Sequence, residues 1–197
     1  TEKKLLIFTN IGKVYSIHAN KLKIKNNDFE PIRKYLNLTQ DEYILHVNEY
    51  SLDGPDLILI SKEGKGMISK QKEMLTSTRN GKLVMNLARG ISVCAVRQVS
   101  GSHIAVISDS GNLLVFSHKD IKRLSRGSGV IFQNLKNGTI IDIASVKPNE
   151  VINLVNKNTS RSIIKIDTSD YLGERGRIGK SLKLRNSSNI PLLRFFK

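Results

Sequence analysis

The sequence repeats itself, and the repeat limits what the chain can fold into. Three times, apolar and β-branched runs bracket a glycine: Leu5–Phe8 and Lys13–Ile17 around Gly12, Leu57–Ile60 and Lys65–Ile68 around Gly64, and Ile104–Ile107 and Asn112–Phe116 around Gly111. These glycines lie 52 and 47 residues apart. Glycine supplies the positive φ that a tight turn needs, so each set predicts a β-hairpin. A fourth, degenerate set joins Val151–Val155 to Ile163–Ile166 through polar residues.

The likeness continues past each hairpin. A polar segment ends in an apolar residue at Lys21-Leu22, Met74-Leu75, Arg123-Leu124 and Tyr171-Leu172. Basic, glycine-containing loops follow in three units: Arg79-Asn80-Gly81-Lys82, Arg126-Gly127-Ser128-Gly129 and Arg175-Gly176-Arg177-Ile178-Gly179. Arg79 and Arg126 each fall 15 residues after their hairpin glycine. A third strand is expected at Tyr35–Leu38, Leu83–Leu87, Val130–Leu135 and Ser181–Leu184, and a fourth at Tyr43–Val47, Ile91–Val96, Thr139–Ala144 and Ile190–Phe195. Each unit of about fifty residues is thus expected to hold four short strands, with units near 1–56, 57–103, 104–152 and 153–197 of one domain. One such sheet cannot bury both faces, but several stacked face to face around an axis can, which is the logic of a propeller. An irregular sandwich has no reason to repeat strand order and spacing. No 3.6-residue periodicity runs beyond two turns, and Ser69–Thr76 is read as one short helical turn.

Charge is the first functional pointer. The 197 residues carry 32 Lys and Arg against 17 Asp and Glu, a formal charge of +15. That excess is uneven. The first unit is neutral, the second carries +6, the third +2 and the fourth +7. A field concentrated on part of a surface attracts a polyanion. Hydrophobic residues make up 39%, enough for a core and against a disordered basic tail. No apolar run approaches the roughly 18 residues of a membrane span, and the N-terminus lacks the marks of a signal peptide. The chain starts at Thr1 without a Met, which suggests an excised domain. A single cysteine, Cys94, rules out an intrachain disulfide and fits a reducing compartment. The four histidines at 18, 46, 103 and 118 are too scattered for structural zinc.

The ordered series of hairpin, polar linker, Arg-Gly loop and strand ending in Asn-Leu resembles the C-terminal β-pinwheel of bacterial type IIA topoisomerase A subunits. The likeness spans essentially the whole chain. Tyr171-Leu172-Gly173-Glu174-Arg175-Gly176-Arg177-Ile178-Gly179-Lys180 is similar to the Gly-Glu-Arg-Gly-Arg-x-Gly segment of the last topoisomerase IV blade. Leu124-Ser125-Arg126-Gly127-Ser128-Gly129 resembles the loop of the blade before it. The Gln-Arg-Arg-Gly-Gly-Arg/Lys-Gly box that gives gyrase its DNA wrapping is absent from the sequence, which favours topoisomerase IV or a gyrase fragment cut after the box. The resemblance implies an all-β pinwheel of about four to five four-stranded blades that binds double-stranded DNA. It places ATP, Mg and strand passage (supercoil relaxation, decatenation, chromosome segregation) in other domains or subunits. It further implies an A-subunit dimer joined by the ATPase B subunit, in the bacterial cytoplasm with the nucleoid, with peripheral association with the inner membrane. No cofactor or metal is expected in the domain itself.

Basic loops on a curved edge suit duplex DNA independently of the resemblance. Arg offers a bidentate fork to phosphate oxygens, and an adjacent glycine lets the backbone N–H approach them. The candidates are Arg79 and Lys82 in the second unit, Lys119, Lys122, Arg123 and Arg126 in the third, and Arg175, Arg177 and Lys180 in the fourth. Lys62 and Lys65, flanking a hairpin turn, complete the set. Such contacts position and bend DNA without reading bases.

Catalytic signals are absent. Gly173…Gly179-Lys180-Ser181 superficially resembles a phosphate-binding loop, but Ser181 leads into a strand pattern where that motif requires a helix. Asp109, Asp120, Asp142 and Asp167 are dispersed. His18 and His118 sit at equivalent repeat positions, and Cys94 lies in an apolar strand as a core thiol. By the resemblance, the DNA-cleaving tyrosine follows an arginine in an N-terminal domain, and none of the tyrosines at 15, 35, 43, 50 and 171 does so here. The chain is therefore expected to be non-catalytic. Two other readings remain: the C-terminal wrapping domain of the gyrase A protein, and a β-propeller protein-interaction module.

Overall fold

A computed structural model of the chain describes residues 3–22, 24–25, 28–156, 163–182 and 193–196. Seventeen strands are seen among them. In the first unit they are β1 (Lys4–Thr9), β2 (Lys13–His18), β3 (Ile24–Lys25), β4 (Asp28–Phe29) and β5 (Ile44–Glu49). The second holds β6 (Leu57–Ser61), β7 (Lys65–Ser69), β8 (Lys82–Leu83) and β9 (Val93–Gln98), and the third β10 (His103–Ser108), β11 (Asn112–Ser117), β12 (Val130–Ile131) and β13 (Ile140–Val146). The fourth holds β14 (Val151–Asn156), β15 (Ile163–Asp167), β16 (Lys180–Ser181) and β17 (Leu193–Phe196). All four expected hairpins form, as β1–β2, β6–β7, β10–β11 and β14–β15. The helical turn expected near Ser69–Thr76 is a 3-10 turn, Gln71–Met74.

The sheets do not coincide with the sequence units. Their strand orders are β5-β1-β2-β8, β9-β6-β7-β12 and β13-β10-β11-β16, with a three-stranded β15-β14-β17 at the end. Every third strand is therefore donated to the preceding unit's sheet. β8 pairs with β2, β12 with β7 and β16 with β11. This corrects the expectation that each unit builds its own four-stranded sheet. The donated strands are also shorter than expected, two residues each. The segment Tyr35–Leu38 forms no strand at all and stays with its own unit. Positions 183–184 and 190–192 of the expected strands lie outside the described residues.

Glycine makes the exchange possible. The Gly64 carbonyl accepts from the Phe132 N–H at 2.8 Å, holding the incoming strand against the hairpin turn. Gly64 has φ +87°, and a Cβ there would lie 2.3 Å from the Gln133 carbonyl oxygen. Gly12 does the same for Val84, whose N–H it accepts at 2.9 Å.

The core lies between blades. Leu57 and Leu59 pack toward Leu6 and Phe8 of the first blade, while Ile58 and Ile60 pack toward Ile104 and Val106 of the third. Alternate side chains of one strand thus fill two different interfaces. This is why the central strands read as unbroken apolar runs, since both of their faces are buried. In β14 Ile152 and Leu154 are buried, facing the third blade, and Val151 is 60% exposed. At the other end Leu36 covers Ile7, Tyr15 and Ile17 on the outer face of the first blade. The innermost strands are tied by polar groups. Asp142 on β13, 1% exposed, accepts from Arg97 on β9 at 2.8 Å and from the Phe195 N–H of β17 at 3.0 Å.

Candidate nucleic-acid interface

The donated strands carry the basic loops to the outer edge of the blades, and one contact recurs there. The N–H of the Asn in each Asn-Leu pair donates to the next unit's basic loop: Asn37 to the Arg79 carbonyl (2.8 Å), Asn86 to Gly127 (2.9 Å) and Asn134 to Arg177 (3.1 Å). An arginine from each loop reaches back in the same direction. Arg79 Nε donates to the Tyr35 carbonyl at 3.1 Å, and its terminal nitrogen to the Lys34 carbonyl. Arg126 Nε donates to Asn86 Oδ1 at 3.3 Å, and an Arg175 terminal nitrogen to the Ile131 carbonyl at 2.7 Å. The position that accepts from the asparagine is held by Arg79, Gly127 and Arg177, so the three reaching arginines, Arg79, Arg126 and Arg175, stand at shifted places in their loops and meet different acceptors of the preceding unit. All three are exposed. A guanidinium has five N–H donors, so one or two inward bonds orient the group and leave the rest for solvent or a ligand.

Local backbone geometry seats these loops. Gly129, with φ +73°, precedes β12, and a Cβ there would come within 2.4 Å of the Gly66 carbonyl oxygen. Any side chain would push the Arg126 loop off the neighbouring blade.

The remaining candidates differ in how free they are. Lys119, Lys122 and Lys62 are exposed. Lys180 is exposed and donates to the Asp170 carbonyl at 2.6 Å, while half-buried Lys82 donates to the Glu73 carbonyl at 2.6 Å. Arg177 pairs with Glu174 at 3.0 Å, but at 73% and 78% exposure this pair is open to exchange with a phosphate. Lys65 pairs with Glu63 at 3.4 Å. Arg123 is turned inward: it meets Asp56 at 2.9 Å and the Ile121 carbonyl at 3.0 Å, bracing the third unit against the segment that leads into β6. The structure does not bring it into the outer row.

Two cations near the Arg126 loop escaped the sequence reading. Lys70 and Lys72 line a groove of about 420 Å³ together with Glu73, Arg123 and Ser125. A signal was available, since Lys72 follows Gly64 by eight residues as Lys119 follows Gly111.

His118 packs as part of the repeat, buried, with Nε2 2.7 Å from the Gly101 carbonyl. Cys94 packs against the core between the second and third blades, and burial pushes its thiol up to about 12. No helix among the described residues is long and apolar enough to cross a membrane.

This architecture has solved counterparts. The chain superposes on the E. coli ParC C-terminal domain with a TM-score of 0.79 at 20% identity, covering 94% of this chain and 78% of that one. The family described as DNA gyrase C-terminal domain, beta-propeller, matches residues 3–28 and 102–147. The DNA topoisomerase 4 A protein of Rickettsia bellii is 28% identical over 184 residues, covering 91% of this chain. The chain belongs to the C-terminal β-pinwheel family of bacterial type IIA topoisomerase A subunits. The corresponding topoisomerase 4 protein of Caulobacter vibrioides is 32% identical over 143 residues, covering 72% of this pinwheel and 18% of the relative. This pinwheel spans about a quarter of the length of its Rickettsia relative. The strand exchange described above is the feature that makes its blades a pinwheel and not a set of closed four-stranded units.

Proposed function

We propose that this pinwheel is the DNA-binding C-terminal domain of the A component of a topoisomerase IV. It captures and bends a duplex along its outer edge and presents it to a catalytic core. The observation that carries this reading is that three successive basic loops each present an exposed arginine, Arg79, Arg126 and Arg175, that bonds back to the preceding unit. Successive exposed guanidiniums suit a periodic polyanion, and the phosphates of a bent duplex provide one. In the parent protein the core would pass one duplex through another, relaxing supercoils and unlinking chromosomes, as a dimer of A subunits with a B subunit that binds ATP and Mg. Its place would be the bacterial cytoplasm, with the nucleoid.

The test is a mobility-shift titration with a nonspecific duplex at 50 and 200 mM salt. Roughly six phosphate contacts would lower affinity on the order of 10³-fold between the two, by counterion release. Arg175→Ala combined with Arg177→Ala should weaken binding to all sequences alike. Tight, salt-insensitive binding contradicts the proposal, and a sequence-dependent loss replaces phosphate contact with base readout. Gyrase-type wrapping is distinguished by ligating DNA circles with and without the domain: a stable change in writhe would assign the chain to the gyrase branch.

A further inference from the structure

The first unit is electrically neutral and has no Arg-Gly loop, so on sequence it should contribute nothing to the row. The structure places a cavity of about 610 Å³ at that position. One wall is the end of the first hairpin, with Lys4 and His18 facing each other in the antiparallel register. The 3-10 turn Ala19–Lys21 adds Lys21, and the Ala19 N–H donates to the Lys3 carbonyl at 2.8 Å, tying that turn to the start of β1. The opposite wall is Leu75–Arg79, fixed to β2 by the Thr76 N–H donating to Ser16 Oγ at 3.1 Å. Arg79 therefore belongs both to this cavity and to the outer row.

Four fully charged side chains line the cavity: Lys4, Lys21, Lys34 and Arg79. No carboxylate of a described residue lines it. Lys34 is neutralised by Glu30 at 2.6 Å, and the Arg79 guanidinium bonds two carbonyls. The side chains of Lys4 and Lys21 make no hydrogen bond or ion pair with a described residue. Gathering like charges without a counter-charge costs stability, and an incoming anion reverses that sign. The hydroxyls of Thr76, Ser77 and Thr78 supply further donors of the kind that hold phosphate oxygens.

We infer that this cavity is a further phosphate station, in which Lys4 and Lys21 take a backbone phosphate of the same duplex that Arg79 engages. The DNA track then extends onto the first blade, through a pocket where the other blades use a loop. This rests on the DNA-binding role proposed above. Its test is the salt dependence of nonspecific duplex binding for the whole 197-residue chain, its Lys4→Ala/Lys21→Ala variant, a Lys4→Arg/Lys21→Arg variant and the Arg175→Ala/Arg177→Ala variant.

Loss of this phosphate contact should make the slope of log K against log[salt] shallower by about 0.9, with affinity down on the order of tenfold near 100 mM salt. The arginine variant should keep the wild-type slope, because charge and not packing is what the station supplies. If Lys4→Ala/Lys21→Ala leaves the slope unchanged while Arg175→Ala/Arg177→Ala weakens binding, the first blade is outside the track and the inference fails alone. If Lys4→Arg/Lys21→Arg loses the slope as the alanine variant does, the lysines act through folding, which also overturns it. Failure of the wild-type chain to bind duplex at 50 mM salt overturns the DNA-binding role itself.

Discussion

Individual side chains here divide by whether their partners are inside the blade stack or outside it. Glu42 is 1% exposed and takes hydrogen bonds from Thr9 Oγ1 at 2.8 Å and from the Tyr15 hydroxyl at 2.9 Å, with the Thr39 N–H at 3.1 Å on its other oxygen. It holds the connector of the first unit against β1 and β2, and burial beside it pushes the Tyr15 hydroxyl well above its ordinary range. Cys94 is an apolar counterpart. Its thiol, raised to about 12 by burial, has almost no thiolate at pH 8, and the thiolate is the reactive form. A disulfide-exchange reagent should therefore label half-buried Cys94 slowly at pH 8 in the folded chain, and promptly in urea. Prompt labelling of the folded chain would contradict the raised thiol value. Because the folded value lies above the ordinary 9.0, this group's contribution to stability is complete below pH 9 and is lost as pH rises toward 12. Cys94→Ala should remove that part of the alkaline loss.

At the level of elements, the donated strand is the main device. Only two residues of each pair in the ladder, so β8, β12 and β16 depend on the turn glycine that receives them. Gly64→Ala would meet both a positive φ and a backbone oxygen 2.3 Å away. It should cost about 2 kcal/mol or more, by chain strain and loss of the exchanged strand. Urea unfolding measures the cost, and amide exchange should show β12 deprotected before the β6–β7 hairpin. Equal deprotection of both would show that the hairpin and its guest strand are one unit. The Arg126 loop is attached to that guest strand, so the same substitution should also weaken DNA binding.

Across the whole molecule, stability comes from contacts between blades, and Asp142 is where three of them meet. Burial pushes its carboxyl up, opposed by Arg97 and by the N–H groups of Ile143 and Phe195. Asp142→Ala removes the acceptor shared by β9 and β17 and should destabilise the domain by about 3 kcal/mol, as breaking a buried ion pair does. Amide exchange should rise first in β17, and a uniform rise across all four sheets would contradict a local junction. The hairpins, their glycine turns and the Arg-Gly loops were legible in the chain itself. Alternation and turn chemistry act over a few residues, and three repetitions make such signals hard to mistake. Lys72 could have been read by the same spacing. The owner of each third strand could not, because β8 pairs with β2 across about seventy residues of chain and nothing local in Lys82-Leu83 names its partner. Nor could the fate of Arg123, drawn inward by Asp56, which is 67 positions away. Tyr35–Leu38 carries strand-like residues, yet Leu36 is held as a cover for the first blade by Ile7, Tyr15 and Ile17. Local patterns thus settle which segments are strands and where cations gather. Packing between distant segments settles which strands share a sheet and which cations remain free, since burial and pairing are properties of neighbours in space.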